Sequence, residues 1–461
     1  MSNNVYDFVA IGLGPFNLSL ACLTDNIESL NGVILEQKPE FNWHPGMMLE
    51  SAHLQTPFMS DLVTLADPSH KLSFLNYIKK QGRLYSFYIR EDFYLMRSEY
   101  NQYCQWASQQ VNNIRFNQTV TRVEYNDLEK YYEITCQHSQ SKETQVYLTH
   151  KLILGTGPSP YIPECCEDLN DNILHSSHYL PNKQKLQQKD SITIVGGGQS
   201  AAEIYYDLLQ EIDVHGYELN WITRSPRFFP LEYSKLTLEM TSPEYVDYFY
   251  DLPDERKQPL IASQKNLYKG INTSLINEIY DLLYVKRLSS DFTTNILSNS
   301  ALKNAALNTD SQRFNLSFFQ EEQQQAYNLD TEAVVLATGY QSALPDFLAP
   351  ISQRIQWNTN GQFDVNRNYS IDKKGSEIFI QNAELHTHGF VSPDLGMACY
   401  RNSCIIRDFL GYEFYAIEKR IAFQQFTTPI NKQDGQFQRT GKGKSTDKVK
   451  SHKNLSAEFS A

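Results

Sequence analysis

The chain has 461 residues, which is too many for one hydrophobic core and indicates two or three domains. Hydrophobic residues make up 41% and the net charge is -12, so a packed globular protein without the basic footprint of a nucleic-acid-binding protein is expected. Seven cysteines without a CxxC pair argue against a disulfide framework and a zinc site. No stretch reaches the roughly 18 apolar residues of a membrane span, so we expect a cytoplasmic protein.

The first β-α-β unit lies at the start of the chain. Val5–Leu13 predicts a buried parallel strand, Asn17–Leu30 a helix and Gly32–Leu35 a second strand. Gly12 permits a tight turn between the first strand and the helix, and Gly14 lets the backbone approach a pyrophosphate. The helix N-terminus then offers unpaired N–H groups to the phosphates.

Two further residues of this unit bear on which nucleotide it holds. Asn17 stands where the usual fingerprint has its third glycine, so the match is imperfect. Glu36 directly follows the second strand, where a carboxylate can accept both ribose hydroxyls of an adenosine and disfavours a 2′-phosphate. The first site should therefore hold FAD or NAD rather than NADP.

A second β-α-β unit begins near residue 190. Its predicted strand Asp190–Val195 runs into Gly196-Gly197-Gly198, a helix follows over Ser200–Ile212, and Leu219–Ile222 is the next strand. Arg224 stands where Glu36 stood in the first unit, and a guanidinium there can pair with the 2′-phosphate of NADPH. A lone glycine fingerprint is weak evidence, but two in register specify a protein that binds two dinucleotides.

The other predicted elements complete an α/β fold with two Rossmann-like dinucleotide-binding domains and a small helical substrate-binding region. Further strands are predicted at Thr119–Tyr125, Tyr131–Gln137, Leu148–Gly155, Phe314–Phe319, Ala333–Ala337 and Glu377–Gln381, and helices at Tyr100–Gln110 and Met397–Leu410. Thr338-Gly339 is interpreted as following a strand that returns to the first sheet.

These elements divide the chain into four predicted parts. The FAD-binding domain takes residues 1–165 and 331–426, and the NADPH-binding domain takes residues 185–227 and 290–330. Residues 228–289 form the helical region, and residues 427–461, rich in Lys, Gln, Gly, Ser and Thr, form a disordered tail.

Six sequence blocks carry a resemblance to a known family. The blocks GLGPFNLSL, NWHPGMM, LQTPFMSDLVTLADP, VGGGQSAAE, LATGY and HTHG resemble the N-hydroxylases of siderophore biosynthesis, which include the lysine and ornithine N-monooxygenases. The resemblance runs from Val5 to Tyr415. It implies that NADPH reduces FAD, that the flavin captures dioxygen as a hydroperoxide, and that a neutral amine attacks the distal oxygen. The chemistry then belongs to the cofactor, and neither a catalytic side chain nor a metal is expected.

The resemblance also implies the residues of the cofactor sites. Gln55 matches a glutamine that approaches the isoalloxazine, and Arg97 matches an arginine that faces NADPH, whereas ordinary loop packing remains an alternative for Trp43 and His44. The cofactor set is Gly12, Gly14, Pro15, Asn17, Glu36, Trp43, His44, Gln55, Arg97, Gly196, Gly198, Gln199, Ser200, Arg224, Thr338, Gly339 and Leu395.

The chain departs from the amino-acid hydroxylases at the expected substrate positions. Ser60 replaces a lysine that pairs with the substrate carboxylate, Leu238 replaces a polar group, and Gly396 replaces a serine. With Asn266 these residues form the predicted substrate site. Because an unpaired buried carboxylate costs several kcal/mol, a substrate without one is favoured, and a lysine would repel a second ammonium. We therefore expect N-hydroxylation of putrescine or cadaverine.

Several alternatives stay open at this point. Ser60 could be neutral drift, with Lys269 or Arg97 as the cation and lysine or ornithine as the substrate. Histamine is another amine without a carboxylate. Flavoprotein reductases or oxidases, and binding proteins that only retain nucleotide folds, also carry two such units. Relatives suggest a homo-oligomer, either a dimer or a tetramer. A free alkyl ammonium has a pKa of about 10.4, so an activity optimum above neutral pH is expected.

Overall fold

The structure is a computed structural model, and it describes residues 5–169, 172–289 and 291–429. The predicted tail lies outside the described residues from residue 430 onward. The described strands are β1 (Val5–Ile11), β2 (Gly32–Leu35), β3 (His53–Pro57), β4 (Tyr94–Met96), β5 (Ile114–Arg115), β6 (Gln118–Asn126), β7 (Tyr131–His138), β8 (Thr144–Leu154), β9 (Ser159–Pro160), β10 (Leu174–His175), β11 (Ser191–Val195), β12 (Glu218–Ile222), β13 (Thr294–Leu297), β14 (Ser300–Asn308), β15 (Arg313–Gln320), β16 (Gln325–Thr331), β17 (Ala333–Leu336), β18 (Tyr340–Gln341) and β19 (Ile378–Ile380).

The described α-helices lie between and after these strands. They are α1 (Pro15–Thr24), α2 (Phe74–Lys80), α3 (Leu84–Arg90), α4 (Arg97–Ser108), α5 (Tyr179–Leu186), α6 (Gln199–Gln210), α7 (Ile212–His215), α8 (Lys235–Leu238), α9 (Pro243–Tyr250), α10 (Asp254–Ser263), α11 (Thr273–Ser289), α12 (Leu385–His388) and α13 (Ala398–Leu410). No helix in the described ranges is long and apolar enough to cross a membrane.

The first sheet has the strand order β5-β2-β1-β8-β7-β6, with β19 also paired to β8. Strand β1 is parallel to both β2 and β8, and Phe8, Val9 and Ala10 within it are completely buried. A strand buried on both faces needs a continuous apolar sequence, and β1 has one at its C-terminal half. Helix α1 then packs on this sheet with its first turn beginning at Pro15.

The second sheet has the order β10-β17-β11-β12-β13, and all of its pairs are parallel. Its position corrects one prediction. Strand β17, expected to return to the first sheet, pairs instead with β11, with Ile192 opposite Ala333. The predicted domain boundary at residue 331 is therefore wrong. The reason is physical: a short apolar strand suits the centre of either parallel sheet, and nothing in its composition selects one.

The chain passes between the two sheets through a short antiparallel ribbon. Strand β9 leaves the first sheet and β18 returns toward it, and the two pair with Tyr340 opposite Pro160. After β18 the chain joins the first sheet through β19. The prediction of two Rossmann-like units with one inserted into the other is confirmed, with the crossings near residues 159 and 340.

Candidate functional site

A large cavity is lined by residues that follow strands of both sheets. Its volume is about 3090 Å³, and both glycine loops line it. Drug-sized ligands occupy pockets of roughly 300–1,000 Å³, so this cavity has room for two dinucleotides and a small substrate. The C-terminal ends of β1 and β11 open into it, which is where open α/β sheets bind their ligands.

The first glycine loop is shaped by contacts that exclude side chains. Gly12 has φ +88°, and a Cβ on it would lie 2.5 Å from the Gly155 carbonyl oxygen. Gly14 caps α1, and a Cβ there would meet nothing within 4 Å, so its open side faces the cavity. A phosphate can therefore approach the backbone at Gly14 and the first turn of α1, which Pro15 begins.

Asn17 explains the imperfect fingerprint. Its side-chain amide donates to the Gly12 carbonyl oxygen at 2.7 Å, and the residue is buried. A Cβ on Gly155 would lie 2.3 Å from the Asn17 amide nitrogen, so the asparagine fills the space above that glycine. Asn17 thus ties the helix to the end of β1, which is the packing function of the missing third glycine.

The Glu36 carboxylate is held at the cavity by two backbone N–H groups. Its carboxylate is buried and accepts the backbone N–H of Leu13 at 2.7 Å and that of Lys38 at 2.9 Å. Each oxygen uses one acceptor position on these bonds, and a carboxylate has about four. The rest can accept ribose hydroxyls from the cavity that Glu36 lines.

Trp43 and His44 serve both packing and the cavity wall. The two rings lie 4.8 Å apart in a T-shaped arrangement, and Trp43 also contacts Tyr100. Desolvation, with the charges of Arg97 and Lys38, lowers the pKa of His44 to about 4, so its ring is neutral near pH 7. Both residues line the cavity beside the first glycine loop.

The second glycine loop is built in the same way as the first. A Cβ on Gly196 would lie 2.2 Å from the Ala337 carbonyl oxygen, whereas Gly198 is open to the cavity and caps α6. Gln199 and Ser200 form the first turn of α6 and line the cavity. Arg224 follows β12, is exposed, and pairs with no carboxylate of the described residues.

Arg97 and Gln55 join the two halves across the cavity. The guanidinium of Arg97 pairs with both oxygens of Glu203 on α6, at 2.7 and 2.9 Å. The side-chain amide of Gln55 donates to the Asn272 side chain at 2.9 Å and to the Gly270 carbonyl oxygen at 3.1 Å. Both residues line the cavity, and each also holds one half against the other.

Thr338 and Gly339 belong to the crossing between the sheets. The Thr338 hydroxyl donates to the Tyr161 carbonyl oxygen, and Gly339 has φ +83°. Both line the cavity, although the strand before them belongs to the second sheet.

Two of the predicted substrate positions lie side by side. A Cβ on Gly396 would lie 3.3 Å from the Ser60 hydroxyl oxygen, and both residues line the cavity next to Leu395. Leu238 and Asn266 approach the cavity from the helical region, and the Asn266 side chain donates to Glu232 at 2.9 Å.

Asp394 is a member of this group that sequence reasoning missed. Its Oδ1 accepts the Gly396 N–H at 2.7 Å and would lie 3.1 Å from a Cβ on Gly396. Burial raises the pKa of Asp394, and the Gly396 N–H and the Arg401 charge partly offset the rise. The signal was present in the sequence, because Asp394 directly precedes Leu395 and Gly396.

Arg97 and Lys269, the alternative cations for binding a substrate carboxylate, have contacts away from Ser60. Arg97 is engaged by Glu203. The carbonyl oxygen of Lys269 would lie 3.6 Å from a Cβ on Gly198, so Lys269 stands beside the second glycine loop. Burial and the charges of Lys265 and Arg224 lower the pKa of Lys269. The Ser60 region therefore presents a carboxylate and a hydroxyl.

Comparisons with known proteins agree with this geometry. The family model for L-lysine 6-monooxygenase and L-ornithine 5-monooxygenase matches residues 4–342. The chain is 54% identical over 438 residues to a putrescine N-hydroxylase from Shewanella oneidensis, covering 95% of this chain and 87% of the relative. It is 45% identical to a putrescine N-hydroxylase from Acinetobacter baumannii, covering 97% and 99%.

This chain is also similar to a solved structure of a diamine monooxygenase. It is the FAD-bound cadaverine monooxygenase of the desferrioxamine biosynthetic pathway from Erwinia amylovora, with a TM-score of 0.91 and 57% identity. The match covers 93% of this chain and 100% of the chain in that structure. The resemblance drawn from the sequence blocks is thereby confirmed, and the chain belongs to the family of L-lysine 6-monooxygenases and L-ornithine 5-monooxygenases.

Proposed function

We propose that this enzyme N-hydroxylates one primary amine of a short aliphatic diamine, putrescine or cadaverine, with FAD, NADPH and dioxygen. The product would be a hydroxamate precursor for a siderophore. The relatives at 45–57% identity, whose names specify putrescine or cadaverine, support this substrate class.

The observation that carries the proposal is the charge arrangement around Ser60. Ser60 presents a neutral hydroxyl where the resemblance implies a carboxylate-binding lysine in the amino-acid hydroxylases, and the Asp394 carboxylate lies beside Gly396 in the same group. An amino-acid substrate would bring its own carboxylate toward Asp394, and like charges in a desolvated site repel. The distal ammonium of a diamine would instead pair with Asp394.

Each part of the cavity has a defined task in this proposal. Gly12, Gly14 and Glu36 would hold FAD, and Gly198, Ser200 and Arg224 would hold NADPH. FAD, once reduced by NADPH, supplies the activation of dioxygen that oxidises the amine. The chain's own residues bind and orient the amine and exclude bulk water from it.

The reacting amine of the diamine must be neutral, while the second amine of the same molecule stays charged. The walls of the cavity desolvate the reacting ammonium and lower its pKa, whereas Asp394 favours the charged form of the distal one. One molecule can therefore present a neutral nitrogen at one end and an ammonium at the other. This division of roles requires two amines and no carboxylate in the substrate.

The test is a panel of amines with the FAD-loaded enzyme. NADPH oxidation and hydroxylamine formation are measured with putrescine, cadaverine, histamine, lysine and ornithine. We expect product from putrescine and cadaverine far above that from the two amino acids. Equal or better product formation from lysine would contradict the diamine proposal, and NADPH oxidation without hydroxylated product would favour a reductase or oxidase.

We also propose a cytoplasmic homo-oligomer, either a dimer or a tetramer. All seven cysteines lie in the described ranges and are free thiols, which suits a reducing compartment. Light scattering of the purified FAD-loaded protein measures the oligomeric state, and a monomer would contradict this part of the proposal.

A further inference from the structure

The segment after α13 is held by side chains rather than by secondary structure. Residues 416–424, named here the C-terminal strap, contain neither helix nor strand. Oε1 of Glu244 accepts the backbone N–H groups of Ile421 at 2.6 Å and Ala422 at 3.1 Å. The carboxylate of Glu239 accepts those of Phe423 and Gln424, both at 3.0 Å. Four consecutive backbone donors of the strap are thus bound by two carboxylates.

The same contacts hold helix α8, which has no buried residue. Leu236 is 64% exposed and Leu238 is 48% exposed, so apolar packing contributes little to its position. Helix α9, in contrast, is anchored by buried side chains and by the Ser242 cap. The Gln424 side chain also donates to the Leu236 carbonyl oxygen. The strap therefore ties α8 to the firmly packed α9.

The strap and α8 together line the cavity described above. Ala416, Ile417 and Ile421 contribute from the strap, and Thr237 and Leu238 contribute from α8. Leu238 lines the cavity and is one of the predicted substrate positions, and on the proposed function this wall borders the amine end of the cavity. Its position depends on hydrogen bonds to two half-buried carboxylates.

We propose that the C-terminal strap forms the movable wall of the amine pocket, and that Glu239 and Glu244 are the positioning residues that hold it in place. This inference rests on the proposed function for the identity of the amine. A loosened wall enlarges the pocket and weakens amine binding, and it leaves the two nucleotide sites unchanged because neither glutamate lies in a glycine loop. The amine KM should rise while the NADPH KM stays constant.

The two glutamates offer a matched pair of amide substitutions. Glu244 uses one oxygen for both of its bonds, so Glu244→Gln keeps an acceptor for Ile421 and Ala422. Glu239 uses both oxygens, so Glu239→Gln places an NH₂ group opposite a backbone donor. The substitutions are equal in chemistry and size, but only the second removes an acceptor that a backbone N–H of the strap uses.

The experiment compares wild type, Glu239→Gln and Glu244→Gln as FAD-loaded enzymes. Glu239→Gln should raise the KM for the preferred amine about five-fold or more, as expected for a donor left opposite a donor. The kcat and the NADPH KM should stay within about two-fold, since neither nucleotide site is altered. Glu244→Gln should resemble wild type. Glu239→Gln with a wild-type amine KM would overturn the proposal.

Limited trypsin digestion provides a readout that does not depend on activity. Lys419, whose side chain is 81% exposed, and Arg420 lie within the strap. Cleavage after either residue, followed by mass spectrometry, should be faster in Glu239→Gln than in Glu244→Gln. Equal rates would overturn the strap assignment even if diamines are hydroxylated. A wild-type enzyme that hydroxylates another amine would overturn only the proposed function, since the KM comparison is then made with that amine.

Discussion

Single residues at the amine site carry most of the substrate information. Ser60, Asp394 and Gly396 come from two segments more than 300 positions apart in the chain, yet Gly396 lies beside both of the other residues. Gly396 is the element that allows this approach, because a Cβ there would be 3.1 Å from Asp394 and 3.3 Å from Ser60. The effect of the residue at position 60 on substrate charge therefore depends on the carboxylate at position 394.

Replacing Asp394 with asparagine should weaken diamine binding selectively. Loss of one partner of a desolvated charge pair costs about 2–5 kcal/mol, so the KM for putrescine should rise at least about ten-fold. Steady-state kinetics with putrescine and with butylamine measures the effect. Butylamine has no distal ammonium and should be affected much less; an equal loss for both amines would show that Asp394 does not recognise the second charge.

Replacing Ser60 with lysine should convert the pocket from attracting to repelling a diamine. The new ammonium would approach Asp394 and neutralise it, and the putrescine KM should rise about ten-fold or more. Ser60→Met, of similar length and without charge, is the matched control for steric effects. If the methionine variant loses as much putrescine affinity as the lysine variant, the effect is steric and the charge argument is wrong.

Whole elements were predictable where their sequence pattern was local. The strand Gly32–Leu35 was predicted to the residue, and both glycine loops lie between the strands and helices expected of them. The sheet to which β17 belongs was not predictable, because strand pairing depends on distant segments. Two partners of β15, namely β14 and β16, were missed because their exposed polar residues weaken the alternating pattern.

Side-chain contacts between elements were even less accessible from the sequence. Arg97 was assigned to the nucleotide by resemblance, but its pairing with Glu203 joins the start of α4 to α6. Asn17 was predicted as a cofactor contact that deviates from the fingerprint, and its packing function appears only from the contact with Gly155. Such partners are determined by tertiary packing and leave no periodic pattern in the sequence.

The ion pair between α4 and α6 should contribute strongly to thermal stability. Its side chains are 12% and 4% exposed, so Arg97→Met leaves Glu203 buried without its partner and should cost about 3 kcal/mol. The double variant with Glu203→Met should recover part of the loss. Melting temperatures of the FAD-loaded proteins complete the double-mutant cycle.

The control for this cycle is the exposed pair Arg122–Glu124, whose side chains are 56% and 49% exposed. The same substitutions there should change the melting temperature very little, because surface pairs contribute about 0–1 kcal/mol. Additive effects of the Arg97 and Glu203 substitutions would contradict a coupling between the two elements.

At the scale of the whole molecule, buried titratable groups link stability to pH. His388 is 1% exposed and stacks on Tyr369, and burial holds its pKa well below the ordinary value of 6.5. Below about pH 6.5 this histidine becomes protonated in the unfolded chain but stays neutral in the folded chain, so the unfolded state binds more protons. Folding stability must therefore fall as the pH decreases from 6.5.

This dependence can be measured by thermal unfolding between pH 7.5 and 5. The wild-type melting temperature should decrease on acidification, and His388→Gln should show a shallower decrease because it removes one proton-binding group from the unfolded chain. His150→Gln, at an exposed position, should retain the wild-type slope. A His388→Gln slope equal to that of wild type would contradict the assignment.

The ribbon formed by β9 and β18 has a mechanical consequence. Gly157 and Gly339 stand beside it with φ of +73° and +83°, and a Cβ on either would meet nothing within 4 Å. The ribbon itself lines the cavity, so a rotation about it would move one glycine loop relative to the other. The Arg97–Glu203 and Gln55–Asn272 contacts would oppose that rotation, because each joins one half to the other. The gap between the two bound cofactors would then change by torsion of a few peptide units, while each glycine loop kept its own shape.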